Sequence, residues 1–262
     1  MFQTGCECRM VAASVLITGA NRGLGLEMVR HLLSSPAPPT HLLATYRSPA
    51  SSGALEQLAT AHPSLTTLQL DVTETARFPE VVARVEEVVG AAGLNLLINN
   101  AGVGRMPRAL HSITPEEMVE HFATNCVAPL FLSRSLLPLL KRAAGPKPGA
   151  AKSARKAAVI NLSAYLGSLA EVGATSPGMY PIRCSRAALN MATATMAKDM
   201  DLMRTGVLLA AIYPGWMRTA MGGPKAPLDP AEQAAAILST VHTLTEAQHG
   251  AFMDYSGKAI PW

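Results

Sequence analysis

Short apolar runs alternate with stretches of helical periodicity along the whole chain. Runs at 15–18, 41–46, 65–70, 95–99, 157–162 and 207–213 read as strands. Several of them lack a polar residue at every second position, the pattern of strands buried on both faces. Between them, apolar spacing predicts helices at 23–33, 54–61, 78–89, 115–143, 182–204 and 230–245, with a last short strand at 251–254. The segment Thr114-Pro115-Glu116-Glu117 is a helix start: threonine caps, proline takes the first position, and acids occupy the first turn. Repeated strand–helix units predict an α/β fold around a doubly wound parallel sheet. Residues 1–12 read as a flexible leader and 13–262 as one domain, with no fixed-period repeat.

The first strand runs into Thr18-Gly19-Ala20-Asn21-Arg22-Gly23-Leu24-Gly25. A buried strand, a glycine turn and a helix start in that order form a dinucleotide-binding turn, which makes the domain a single Rossmann fold. Gly19 permits the reversal after the strand, Gly23 lets backbone approach a pyrophosphate, and Gly25 lets the helix pack closely. Free amides at the helix start favour phosphate.

Composition narrows the class. Of 262 residues, 49% are hydrophobic, enough for a large core without staples. A net charge of +4 is weak support for an anionic ligand and weaker for nucleic acid. Cys6, Cys8, Cys126 and Cys184 have neither zinc spacing nor a disulfide framework, so reduced thiols in the cytoplasm and no metal are expected. No apolar run reaches the length of a membrane span. Residues 1–10 carry Glu7 and Arg9 and lack the apolar stretch of a signal peptide. The stretch 141–156 holds six basic residues, which suits either an acidic partner or a solvated loop. With no aromatic residue interleaved, the solvated loop is favoured and nucleic acid is not. His111, His121 and His249 lack partners at metal or triad spacing and read as surface or capping residues.

The spacing Thr-Gly-x-x-x-Gly-x-Gly resembles the short-chain dehydrogenase/reductase family. Three further segments fit that family in order. Asp71-Val72 resembles the pair that brackets the adenine. Asn99-Asn100-Ala101-Gly102 resembles the sheet-stabilising, cofactor-lining motif. Pro214-Gly215-Trp216 with Thr219 resembles the loop that holds the nicotinamide carboxamide. Asn21-Arg22-Gly23-Leu24-Gly25, Met217-Arg218-Thr219, Met221-Gly222-Gly223 and the ending Tyr255-Ser256-Gly257-Lys258 with Trp262 are similar to the C-factor-like, or sniffer-type, carbonyl reductases. The resemblance implies a nicotinamide dinucleotide as ligand, with a small carbonyl compound beside it. After the second strand comes Arg47 rather than an acid, and Arg22 adds a second cation, so NADP(H) is expected over NAD.

The same family uses a tyrosine as proton donor, a lysine one helical turn later, a serine and an asparagine. Here Ser185-Arg186-Ala187-Ala188-Leu189 sets the alignment. It puts Arg186 at the lysine position and Ile182 at the tyrosine position. In Asn161-Leu162-Ser163-Ala164, the serine position is Ala164. The asparagine is kept as Asn125. Arginine keeps the charge and can hold the ribose, but its pKa is too high to relay a proton. Tyr180 and Tyr165 are the nearby phenols that a rearrangement could recruit. A pseudoenzyme or very weak carbonyl reductase follows, with an active reductase using a relocated donor as the alternative. A third reading is a structural subunit paired with an active relative. The resemblance also implies a homodimer through 115–143 and 182–204.

Overall fold

The structure, a computed structural model, describes residues 12–104, 109–145 and 151–262. In chain order it contains β1 (Ser14–Ile17), α1 (Gly23–Leu33), β2 (His41–Tyr46), α2 (Gly53–Ala61), β3 (Leu65–Gln69), α3 (Phe78–Val89) and β4 (Leu96–Asn99). Then follow α4 (Pro115–Phe122), α5 (Ala128–Ala144), β5 (Ala158–Leu162), α6 (Tyr180–Leu202), β6 (Leu208–Tyr213), α7 (Pro230–Thr243) and β7 (Phe252–Asp254). The strands form one parallel sheet in the order β3-β2-β1-β4-β5-β6-β7. Strand order reverses between β1 and β4, where a doubly wound sheet opens its binding crevice.

The apolar runs become strands because each is covered on both faces. All of β1, β4 and β5 is buried. One core layer joins Val15, Ile17, Met28, Leu32, Ile98, Ile160 and Ile237; the other joins Leu16, Leu97, Val85, Leu132, Leu136 and Val159. Burial of the leucines and isoleucines in these layers supplies on the order of 1.5–3 kcal/mol each.

Four expectations need correction. The helix predicted over 115–143 is two helices joined by a π turn, Ala123–Val127, in which the Ala128 N–H bonds the Ala123 carbonyl. Pro129 explains the break: it has no N–H to give to the Asn125 carbonyl one turn back. Together Pro115–Ala144 makes 30 helical residues with an 18-residue window of mean hydropathy 1.2, long and apolar enough to cross a membrane. Ala128, Leu132, Leu136, Leu139 and Leu140 instead pack into the core. The leader lies outside the described residues except for Ala12, which is buried and belongs to the domain. The stretch 141–156 is not simply a solvated loop. Lys152 pairs with Asp201 at 2.5 Å and Glu246 at 3.0 Å, Arg142 pairs with Glu86, and Ala154 is fully buried. His121 is buried and His249 half-buried, its side chain turned inward, rather than superficial. His121 Nδ1 lies 2.8 Å from the Glu117 carbonyl, and His249 Nδ1 accepts from the Leu209 N–H. Thr114 does cap α4, in a reciprocal box with Glu117.

A buried polar ladder crosses the sheet. Asn99 Nδ2 donates to Asn161 Oδ1 at 2.8 Å and to Ser133 Oγ at 3.1 Å; Asn161 Nδ2 donates to Thr193 Oγ1 at 2.9 Å. It ties β4 and β5 to α5 and α6. Asn161→Ala leaves the Asn99 amide short of a partner and is expected to lower stability by about 1–3 kcal/mol. A lower urea midpoint at unchanged slope is the check, and an unchanged midpoint refutes the role given to this ladder.

Candidate functional site

The glycine turn sits at the strand-order reversal and is knotted to the end of β4. Thr18 Oγ1 accepts from the N–H groups of Asn100 and Ala101, both at 3.0 Å. Asn100 Nδ2 donates to the carbonyls of Thr18 at 2.8 Å and Gly19 at 3.0 Å. Gly19 has φ +62°, and a Cβ there would stand 2.9 Å from Ala101 Cα. At Gly25 a Cβ would lie 2.6 Å from both Asn100 Nδ2 and the Gly19 carbonyl. The third glycine therefore makes room for the Asn100 amide, a more specific demand than close packing of helix on sheet.

Helix α1 opens with no capping side chain and no acid in its first turn, whereas α4 and α7 are both capped. Its first amides are left for a ligand, and the helix dipole favours an anion there. Leu24 points into the core and contributes only backbone to the turn. Asn21 Nδ2 donates to Ser51 Oγ at 3.0 Å, tying the turn to the residues after β2. Arg22 and Arg47 are exposed on the C-terminal side of neighbouring strands, without a side-chain partner among the described residues. Val72, Ala101 and Thr124 line a crevice beside the turn. Asp71 spends one carboxylate oxygen on the Thr73 N–H and hydroxyl. From the far side, Pro214-Gly215-Trp216 brings Thr219 over the turn, its Cγ2 3.4 Å from where a Gly23 Cβ would be. Gly215 takes φ +89°, and Trp216 Nε1 donates to the Gly222 carbonyl at 2.8 Å.

The second half of the site lies on α6. This helix starts at Tyr180, not Ile182, with Pro181 in its first turn and Met179 left-handed at φ 59° before it. Ile182 and Arg186 are one turn apart on a shared face. Ile182 Cδ1 and Met221 Sδ stand 3.0 and 3.2 Å from where a Cβ on Gly104 would be. Arg186 is 6% exposed, and its Nη1 donates to the Leu162 carbonyl at 2.8 Å. Its Nη2 lies against Gly102, 2.4 Å from the place of a Cβ. Burial pushes its guanidinium down to about 10, below the value expected of an arginine and still charged at neutral pH. Burial also raises the Cys126 thiol, an effect that the Arg186 charge opposes.

Asn125 is fully buried and staples the segment after β4. Its Oδ1 accepts from the Val103 N–H, and its Nδ2 donates to the Val103 carbonyl and to Ser185 Oγ. Ala164 follows β5 and caps a short turn with no side-chain bond. Ser163 points away, donating to Asn190 Oδ1 at 2.6 Å in the interior. The Tyr165 hydroxyl donates to Glu171 at 2.5 Å, a bond that raises its pKa. Tyr180 is two residues before Ile182, about 200° around the helix. Sequence reasoning missed Arg183, which holds the loop before α6 through the Gly178 carbonyl at 2.9 Å and Thr175 Oγ1 at 2.7 Å. No spacing signal could have found it, because its partners are loop carbonyls and one loop hydroxyl.

The turn, the asparagine motif and the 214–219 loop thus meet at one crevice, and the family model described as "short chain dehydrogenase" matches residues 13–228. The chain belongs to the short-chain dehydrogenase family. Among curated relatives, the C-signal protein of Myxococcus xanthus is 34% identical over 169 residues, 64% of this chain and 93% of that one. Among solved structures, the carbonyl reductase Sniffer of D. melanogaster is 38% identical with a TM-score of 0.91, over 96% of this chain and 100% of that one. An NADPH-bound carbonyl reductase from chicken fatty liver is 39% identical with a TM-score of 0.90, over 98% and 96%.

Gly25→Ala is expected to cost about 1–3 kcal/mol, since backbone and the Asn100 amide must both move. Gly53→Ala, with nothing within 4 Å of its Cβ, should stay within about 0.5 kcal/mol of the parent. Thermal unfolding of the two variants side by side checks the contrast, and equal midpoints would contradict the steric role of Gly25.

Proposed function

We propose that this short-chain dehydrogenase binds NADP(H) across β1 and β4 and has at most very weak carbonyl reductase activity. The observation that carries this reading is Ile182, which occupies the face of α6 one turn before Arg186 and turns a hydrocarbon toward Gly104. A side chain with nothing to ionise cannot move a proton. The loss of a general acid lowers a rate by on the order of 10²–10⁴.

The residues present fit the cofactor. The uncapped start of α1 and the cradle at Gly19, Gly23 and Gly25 suit a pyrophosphate. Arg22 and Arg47 suit a 2′-phosphate, and no acid stands at the end of β2 to favour NAD. Asp71, Val72, Asn100, Ala101 and Gly102 would border the adenosine and ribose; Pro214, Gly215, Trp216 and Thr219 would hold the carboxamide. Arg186 would hold the ribose. When bound, NADPH supplies a hydride. Neither Ala164 nor Ile182 can donate to a carbonyl oxygen, and Asn125 acts here by fixing residues 103–104 in place.

The alternative, a working reductase with a relocated donor, has Tyr180 as its candidate, because Tyr165 is committed to Glu171. Pairing of two copies through α4, α5 and α6 belongs to the same proposal: Val119 is exposed on α4, and Met191 and Leu202 on α6.

Titration with NADPH and NADH tests the cofactor. NADPH should bind more tightly, and Arg47→Ala should weaken NADPH roughly tenfold while sparing NADH. Turnover is tested by NADPH oxidation with a reactive quinone. The parent should be nearly inert, and Ala164→Ser, Ile182→Tyr and Arg186→Lys together should raise the rate by about 10²–10⁴. A triple variant that binds NADPH and stays inert sinks the missing-donor reading. Parent turnover that Tyr180→Phe abolishes establishes the alternative.

A further inference from the structure

The segments after β1 and β2 each carry an exposed cation, Arg22 and Arg47. Close to the sheet the backbone joins these segments. The Ala20 N–H bonds the Thr45 carbonyl at 2.7 Å, and the Gly19 N–H bonds Thr45 Oγ1 at 3.1 Å. Beyond Ala20 and Thr45, the hydrogen bonds that bridge the two segments among the described residues come from one side chain. Asn21 Nδ2 donates to Ser51 Oγ at 3.0 Å and to the Ser51 carbonyl at 3.2 Å. Ser51 is fixed in turn to the residue after Arg47: its N–H and its Oγ both donate to the Ser48 carbonyl, at 3.0 and 2.9 Å. From the other side of β2, Gln69 Nε2 donates to the Arg47 carbonyl at 3.4 Å. A continuous link therefore runs from Arg22 through Asn21, Ser51 and Ser48 to Arg47.

We propose that Asn21 and Ser51 are positioning residues whose hydrogen bonds set the spacing of Arg22 and Arg47, and with it the preference for a 2′-phosphorylated dinucleotide. The inference rests on the cofactor reading for the place of the 2′-phosphate. A phosphate monoester presents three acceptor oxygens and close to two negative charges near neutral pH. Two guanidinium forks grip it together only when both stand at matching places. Two cations set to share one dianion repel each other, so their spacing has to be imposed by the backbone. A loop ordered only when the ligand arrives subtracts its ordering from the affinity. Here the loop after β2 is ordered beforehand, and by neutral groups. The amide of Asn21 makes both bonds to Ser51 without a charge, whereas an acid at that place would compete for the arginines. NADH carries a hydroxyl where NADPH carries the phosphate, so it gains little from the spacing of two cations. The pair therefore acts on the choice between the two cofactors more than on binding of either.

Calorimetric titration of the full chain with NADPH and with NADH tests the pair, the ratio of the two affinities being the readout. Asn21→Ala is expected to cut the parent's preference for NADPH roughly two- to tenfold, the range for loss of an exposed hydrogen-bonded link. Ser51→Ala, which keeps the carbonyl and loses the hydroxyl, should move the ratio the same way by less, and it carries the test if Asn21→Ala does not fold. Ser51→Thr, which restores the hydroxyl, should return the parent's ratio. In a background of Arg22→Ala with Arg47→Ala, Asn21→Ala should move the ratio no further. An equal loss of both cofactors, with the ratio fixed, assigns the bonds to general stability and overturns the proposal. A fall of the same size in the background without the two arginines makes Asn21 a direct phosphate ligand and overturns it too. A parent preference for NADPH that Asn21→Ala leaves whole overturns the positioning role alone. A parent with no preference for NADPH overturns the cofactor reading, and the proposal with it.

Discussion

One contact organises this molecule: the Asn100 amide seated on the carbonyls of Thr18 and Gly19, in space that Gly25 leaves empty. Strands β1 and β4 are neighbours in the sheet, yet their connections leave in opposite directions. The crevice between them exposes backbone carbonyls that strand pairing does not satisfy. The Asn100 amide satisfies those carbonyls from the side while Thr18 Oγ1 accepts from the Asn100 and Ala101 N–H groups, so the glycine turn is rigid before anything binds. A side chain at Gly25 would displace the amide, and the turn would lose its shape.

The same logic repeats one layer deeper. Asn99, Asn161, Thr193 and Ser133 form a buried relay from β4 across β5 to α5 and α6. Every member has a partner, which is why so polar a chain of residues sits in an apolar interior without penalty. Asn125 extends the system from the π turn: it clasps Val103 by both backbone groups and reaches Ser185 on α6. The strand ends, the π turn and α6 are thereby locked into one frame.

In the function proposed above, that frame would hold a dinucleotide but would lack a group to move a proton. The two halves have different physical requirements. Holding a pyrophosphate takes backbone amides and open space, which glycines supply whatever the neighbouring side chains do. Moving a proton takes one ionisable group at one place. In that reading Ile182 supplies no such group, while the buried Arg186 keeps its charge at a pKa that burial has lowered.

Much of this was legible in residues alone. The strand runs and the capped start of α4 were readable because buried parallel strands and helix starts impose local composition. The glycine turn, Asn99-Asn100-Ala101-Gly102 and the 214–219 loop were readable because their roles depend on fixed spacing along the chain. Contacts between distant segments were not. Nothing local to Gly25 names Asn100 as its partner, and nothing near Lys152 names Asp201 and Glu246. The π turn came from a missing N–H at Pro129 whose effect appears only in a continuous helix. That Arg186 has no acidic partner among the described residues emerged only from its surroundings in space. Periodicity and turn chemistry are properties of neighbours in sequence, whereas burial and charge compensation are properties of neighbours in space.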